Sequence, residues 1–242
     1  MPERTTRQSP SGPITLAVDI GGSGIKMMLL DSKGKPLTDR LREPTPAPAT
    51  SAAMLDVMMA MTRNLPDFDR VSVGFPGVVK RGHTLTAHNL DSDWIGFALQ
   101  DVLQTKWKKP VRVCNDAAVQ GFGAIQKSGV ELILTFGTGL GSALFTEGHL
   151  CPGLELAHHP WRKGKTYEDY LGHEALEKHG NKRWNRLVKK AIEQTSRLFN
   201  WDYLYIGGGN AEHIDFKLPE TIKIVSNVDG LLGGVALWDH DF

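Results

Sequence analysis

The chain has 242 residues, 40% hydrophobic and 23% charged, a composition that excludes intrinsic disorder and gives one to two domains at roughly 150 residues each. Its 28 Lys/Arg against 27 Asp/Glu leave a formal charge of +1, which argues against a basic nucleic-acid binder or a chain drawn to anionic membranes. Cys114 and Cys151 are too few for a disulfide framework and lack the paired spacing of a structural zinc site, so a reducing, cytoplasmic compartment is expected.

Residues 1–13 carry no apolar h-region and read as a flexible tail, and no apolar run reaches the roughly 18 residues that a membrane span needs. Residues 14–19 predict a strand that stops at Gly21-Gly22-Ser23-Gly24, and 25–30 predict a second. A third strand is expected over 37–42, before the Pro-rich segment 44–48. Residues 51–64 place Met54, Leu55, Met58, Met59 and Met61 at helical spacing, as core filling. A strand over 71–75, a loop over 86–91, a helix over 96–105, a strand over 111–114 and a helix over 117–126 follow. Residues 132–136 and 141–145 then repeat the strand, glycine turn, strand unit around Gly137-Thr138-Gly139. That duplication predicts two related lobes, 14–112 and 113–228, with a cleft between them. Helices are expected over 167–180 and 181–199, strands over 203–206 and 222–225, and a last helix within 229–242 that packs on the N-terminal lobe.

Three strands end in glycine clusters: Gly21-Gly22-Ser23-Gly24, Gly137-Thr138-Gly139 and Gly207-Gly208-Gly209. Without Cβ atoms such a turn lets backbone N–H groups converge on phosphate oxygens, although tight turning alone also explains each one. The Walker A pattern is absent. The dinucleotide fingerprint fails as well, because Gly22-Ser23-Gly24 leads into a strand. Asp116 stands at a strand end, either presented to the cleft or capping the next helix. Glu155 and His158 form a pair open to a zinc or a hydrogen-bonding role, whereas His173, Glu174 and His179 read as a solvated helix face. Between residues 161 and 190 there are nine Lys/Arg against four Asp/Glu. Lys182, Arg186, Lys189 and Lys190 can share one helix face, which is either solvated or a track for a long polyanion.

Taken together, Asp19-Ile20-Gly21-Gly22-Ser23-Gly24-Ile25-Lys26, Gly74-Phe75-Pro76-Gly77, Asn115-Asp116-Ala117, the run from Phe136 to Phe145, Glu155-Leu156-Ala157-His158 and the run from Ile206 to Asn210 resemble the ROK sugar kinases. The likeness spans residues 14–238 and is strongest to the family's polyphosphate glucokinase branch. It implies an α/β, two-lobed actin-like (ribonuclease H-like) fold closing on a sugar. Asp116 falls at the catalytic base, and Asn89, Asn115, Asp116, Glu155, His158 and Glu168 fall at sugar-binding positions. Asp19, Gly21, Gly22, Ser23, Gly24, Lys26, Gly137, Thr138 and Gly139 fall at donor-phosphate positions, with Gly207, Gly208, Gly209 and Asn210 at the far end of the donor. Asp19 would hold magnesium through water. The cysteine-rich zinc motif of many members is missing, so no structural zinc is expected.

The chain departs from the family pattern at Ala118, Val119 and Ala157, which bear on sugar fit. Thirteen residues before the first strand cannot hold a helix-turn-helix, so the repressor members match poorly. The resemblance thus implies a homodimeric, magnesium-dependent glucokinase using polyphosphate or ATP, with no nucleic-acid or membrane partner. The alternatives are a catalytically weak sugar sensor or scaffold, or an ATP-dependent kinase of another hexose.

Overall fold

The first strand, β1 (Thr15–Ile20), is almost wholly buried because both faces of its sheet are covered. It pairs antiparallel with β2 (Ile25–Leu30), which pairs antiparallel with β3 (Leu41–Glu43). The expected third strand is shorter than its apolar pattern. Leu37 N–H donates to Leu29 O and Leu29 N–H to the Thr38 hydroxyl, so 37–40 bends across the end of β2 before pairing begins. Helix α1 (Ser51–Thr62) is capped by the Thr50 hydroxyl, which accepts from Ala53 N–H, and it buries Met54, Leu55 and Met58. Met59 and Met61 lie only half-buried at its edge.

Strand β4 (Arg70–Phe75) runs parallel to β1. A small hairpin, β5 (Val79–Lys80) with β6 (His83–Thr84), precedes α2 (Leu99–Trp107), which starts later than expected because Gly96 turns with a positive φ of 79°. Strand β7 (Val111–Asn115) completes a five-stranded sheet of order β3-β2-β1-β4-β7 and leads into α3 (Asp116–Ala124).

The same design recurs. Strands β8 (Val130–Phe136), β9 (Leu140–Thr146) and β10 (His149–Cys151) are antiparallel neighbours, and a second hairpin, β11 (Pro160–Arg162) with β12 (Lys165–Thr166), follows. The helix expected over 167–180 is broken at Gly172 into α4 (Glu168–Leu171) and α5 (His173–His179). A long amphipathic helix, α6 (Asn181–Phe199), then leads to β13 (Tyr203–Gly207) and β14 (Ile222–Ile224). The second sheet has order β10-β9-β8-β13-β14, the same pattern of two antiparallel and two parallel pairings as the first. Helix α7 (Asp229–Ala236) returns to the first sheet, where Leu231 and Val235 pack on Ala17, Met28 and Leu30. Behind it Trp238 Nε1 donates to Ser72 Oγ at 2.8 Å. The structure, a computed structural model, describes residues 12–151, 153–225 and 229–239. Most of the expected tail, Pro152 and the last three residues lie outside them, as do 226–228 at the expected lobe boundary.

Candidate active site

Where β1 turns into β2, Gly21 N–H donates to Gly24 O at 3.0 Å, and the Thr45 hydroxyl donates to Gly21 O at 2.5 Å. Asp19 and Lys26 are direct cross-strand partners, so Lys26 Nζ reaches the Asp19 carboxylate at 2.8 Å beside that turn. Between β8 and β9 the second glycine turn closes similarly, with Gly137 N–H donating to Gly139 O at 3.0 Å. Gly137 O accepts from Asn210 Nδ2 and from His173 N–H, both at 3.0 Å, which ties the turn to the start of α5 and to the segment after β13. Gly208 permits this closeness: its φ is +85° and a Cβ there would overlap the Phe136 backbone.

The two turns face each other across a cleft of about 690 Å³. At its floor β7 passes directly into α3. Asn115, not Asp116, is the helix cap: its Oδ1 accepts from Ala118 N–H at 3.1 Å while its Nδ2 donates to Gly77 O at 3.1 Å. Asp116, the first residue of the helix, lines the cleft, with its Oδ1 accepting from Ala117 N–H at 2.7 Å. Burial, then repulsion from Asp19 and Glu155, pushes its carboxyl up to about 7. Glu155, on the loop before β11, is likewise raised to about 7, by burial and then by Glu168. Glu168 accepts from Leu140 N–H at 2.9 Å, and a Cβ at Gly139 would run into its carboxylate. His158 stacks on His88 with ring centroids 3.5 Å apart, and burial followed by His88 holds its imidazole below the ordinary range.

Of the residues singled out in the sequence, Asp19, Gly21, Gly22, Ser23, Lys26, Asn89, Asn115, Asp116, Gly137, Thr138, Gly139, Glu155, His158, Glu168, Gly208, Gly209 and Asn210 all line this cleft. Gly24 and Gly207 are buried and do not; they shape the turns from behind. His173 is exposed, as the reading of a solvated helix face has it, and also borders the cleft. The break at Gly172 swings it to the cleft wall, where Nδ1 lies 3.3 Å from Asn210 Oδ1. The basic residues of α6 are exposed and line no part of the cleft; its cationic side chains are instead Lys26, Arg40 and Arg42. Arg40, Arg42, His88 and Gln120 were not singled out by the sequence. An alternating basic pair just before a proline-rich segment was the only signal for the arginines.

The ROK family profile matches residues 15–160. The chain is 30% identical over 234 residues to a polyphosphate glucokinase of Mycobacterium tuberculosis (strain CDC 1551 / Oshkosh), covering 89% of this chain and 88% of that one. Its fold matches an inorganic polyphosphate/ATP-glucomannokinase from Arthrobacter sp. strain KM with a TM-score of 0.84 at 29% identity, over 95% of this chain and 100% of the other. A ROK family glucokinase from Streptomyces griseus, solved with glucose and AMPPNP, matches with a TM-score of 0.77 at 20% identity, over 93% and 98% of the two chains. Duplicated sheets with glycine turns facing over a cleft are therefore those of an actin-like phosphotransferase. The chain belongs to the ROK family.

Proposed function

We propose that this protein transfers a phosphoryl group from inorganic polyphosphate or ATP to the 6-hydroxyl of glucose. The observation that carries this reading is a desolvated carboxyl, Asp116, between two facing glycine turns and a set of hydroxyl-binding groups. In it, Asp116 accepts the proton of the 6-hydroxyl as that oxygen bonds to the terminal phosphorus, and the bond from phosphorus to the remaining donor chain breaks. Asn89, Asn115, Glu155 and Glu168 accept from sugar hydroxyls, while neutral His158 donates. Backbone N–H groups of Gly22, Ser23, Thr138 and Gly139, which the turn-closing bonds leave open, receive the phosphate oxygens, with Gly208, Gly209 and Asn210 toward the far end of a nucleotide donor.

Magnesium fits this site. It is usually held by one or two carboxylates together with substrate phosphates and water, and Asp19 offers one carboxylate beside the first turn. Asp19 would hold the ion, which would supply positive charge beside the donor oxygens. The same reading has the protein acting as a homodimer in the cytoplasm, a compartment that suits its two free cysteines. Among the described residues no helix is long and apolar enough to cross a membrane.

Initial rates with glucose, mannose, fructose and N-acetylmannosamine, each with polyphosphate and with ATP, test the proposal. Glucose 6-phosphate should form with polyphosphate, and no transfer from either donor to any of the sugars would leave a sugar-binding sensor. Because the base must be ionised, kcat/KM should rise with pH through about 7, falling by about tenfold per unit well below it. A profile flat from pH 5.5 to 8.5 would remove Asp116 from that role.

A further inference from the structure

The pairing of the first sheet sets three charged residues side by side. Asp19 on β1 is opposite Lys26 on β2, and Lys26 is opposite Arg42 on β3, so all three side chains leave the same face of the sheet in one row. Neighbouring strands lie about 4.8 Å apart, which makes the row about 10 Å long. The Arg42 guanidinium lies over the first glycine turn: a Cβ at Gly24 would come within 3.2 Å of its Nε. Arg40, two residues back, lines the same cleft. Lys26 is neutralised by Asp19, but Arg40 and Arg42 are exposed and join no ion pair among the described residues. Acidic side chains of the cleft are Asp19, Asp116, Glu155 and Glu168, of which only Asp19 stands in this row.

Two free guanidiniums at the outer end of a phosphate-binding turn call for an anion that continues past the transfer point. A nucleoside triphosphate carries no charge beyond its three phosphates, whereas a condensed phosphate chain presents one at every unit. We propose that Arg42 and Arg40, continuing the row from Lys26, form a track for a linear condensed phosphate, an inference that rests on the donor reading above. Their planar forks can each take two phosphate oxygens in a fixed bidentate geometry, which the rotating ammonium of a lysine does not provide. The long-chain donor is thereby held on the wall of the first sheet, away from the basic face of α6.

Titration calorimetry without sugar, using the full chain with long-chain polyphosphate, tripolyphosphate and ATP, tests the track. Arg40→Ala/Arg42→Ala should weaken long-chain binding about tenfold, the size of about one charge-assisted hydrogen bond, and tripolyphosphate by about twofold or less. Long-chain binding should also weaken with salt less steeply in the variant than in the wild type, since exposed charges are screened within about 10 Å at 0.1 M. Arg42→Lys, which keeps the charge but not the fork, should fall between the two. An undiminished long-chain affinity, or an equal loss for all three ligands, overturns the track. A loss confined to ATP does so too, by giving the arginines to the nucleotide. Failure of the wild type to form glucose 6-phosphate from polyphosphate overturns the donor reading itself, whatever the calorimetry shows.

Discussion

Asp116→Ala should lower kcat by about 10²–10⁴, the usual cost of removing a general base, while the dissociation constant for glucose changes far less. The structure gives the reason for this asymmetry. Asn115 supplies the cap that holds the start of α3, so removing the Asp116 carboxylate leaves the helix and the cleft floor in place. Glu155, Glu168 and His158 still line the cleft. A second readout separates Asp116 from Glu155, whose carboxyl is raised to a similar pH. The acid limb of kcat/KM should vanish in Asp116→Ala and persist in Glu155→Gln, which should instead raise KM. Near-wild-type turnover in Asp116→Ala would mean that another group takes the proton.

The second large effect is expected far from any ligand. Trp184 of α6 is fully buried, packs edge-on against Phe136 with ring centroids 5.5 Å apart, and donates from Nε1 to Leu171 O at 3.0 Å. Trp184→Ala removes the largest side chain under the second glycine turn and leaves that carbonyl without its donor. Burial losses of this kind cost about 3–5 kcal/mol, equivalent to a fall in Tm of about 10 °C for a chain of this size. Phe136 leads directly into Gly137, and Leu171 ends the helix that begins at Glu168. The variant should therefore raise KM for donor and sugar at temperatures where it is still folded. Thermal melts beside steady-state kinetics check both parts, and Trp184→Phe should recover part of the loss. A melt within about 2 °C of wild type would show that the pocket collapses around the missing ring.

What the sequence made legible was local. The strands flanking Gly21–Gly24 and Gly137–Gly139 declare themselves by short apolar runs ending in glycine, and Asn115-Asp116 by its place between a strand and a helix. Residues placed by long-range pairing stayed hidden. Arg42 enters the cleft because β3 registers against β2, opposite Lys26, and His88 because a loop of the first sheet meets His158 of the second. Helical periodicity placed His173 on a polar face, but the break at Gly172 decides where that face points. The charge run of α6 was legible as a face; which way it looks follows from burial of Trp184, Leu187 and Val188, and it lines no part of the cleft.

The return of α7 to the first sheet has a consequence for how the protein is made. Ala17, Met28 and Leu30 leave the ribosome some two hundred residues ahead of Leu231 and Val235, the side chains that cover them. At about 5–20 residues per second, that apolar face stays bare for roughly 10–40 s of synthesis. The first sheet can bury its other face within residues 14–113 but not this one during that interval, so the nascent chain offers a site for chaperones, and for self-association, that the finished protein has closed.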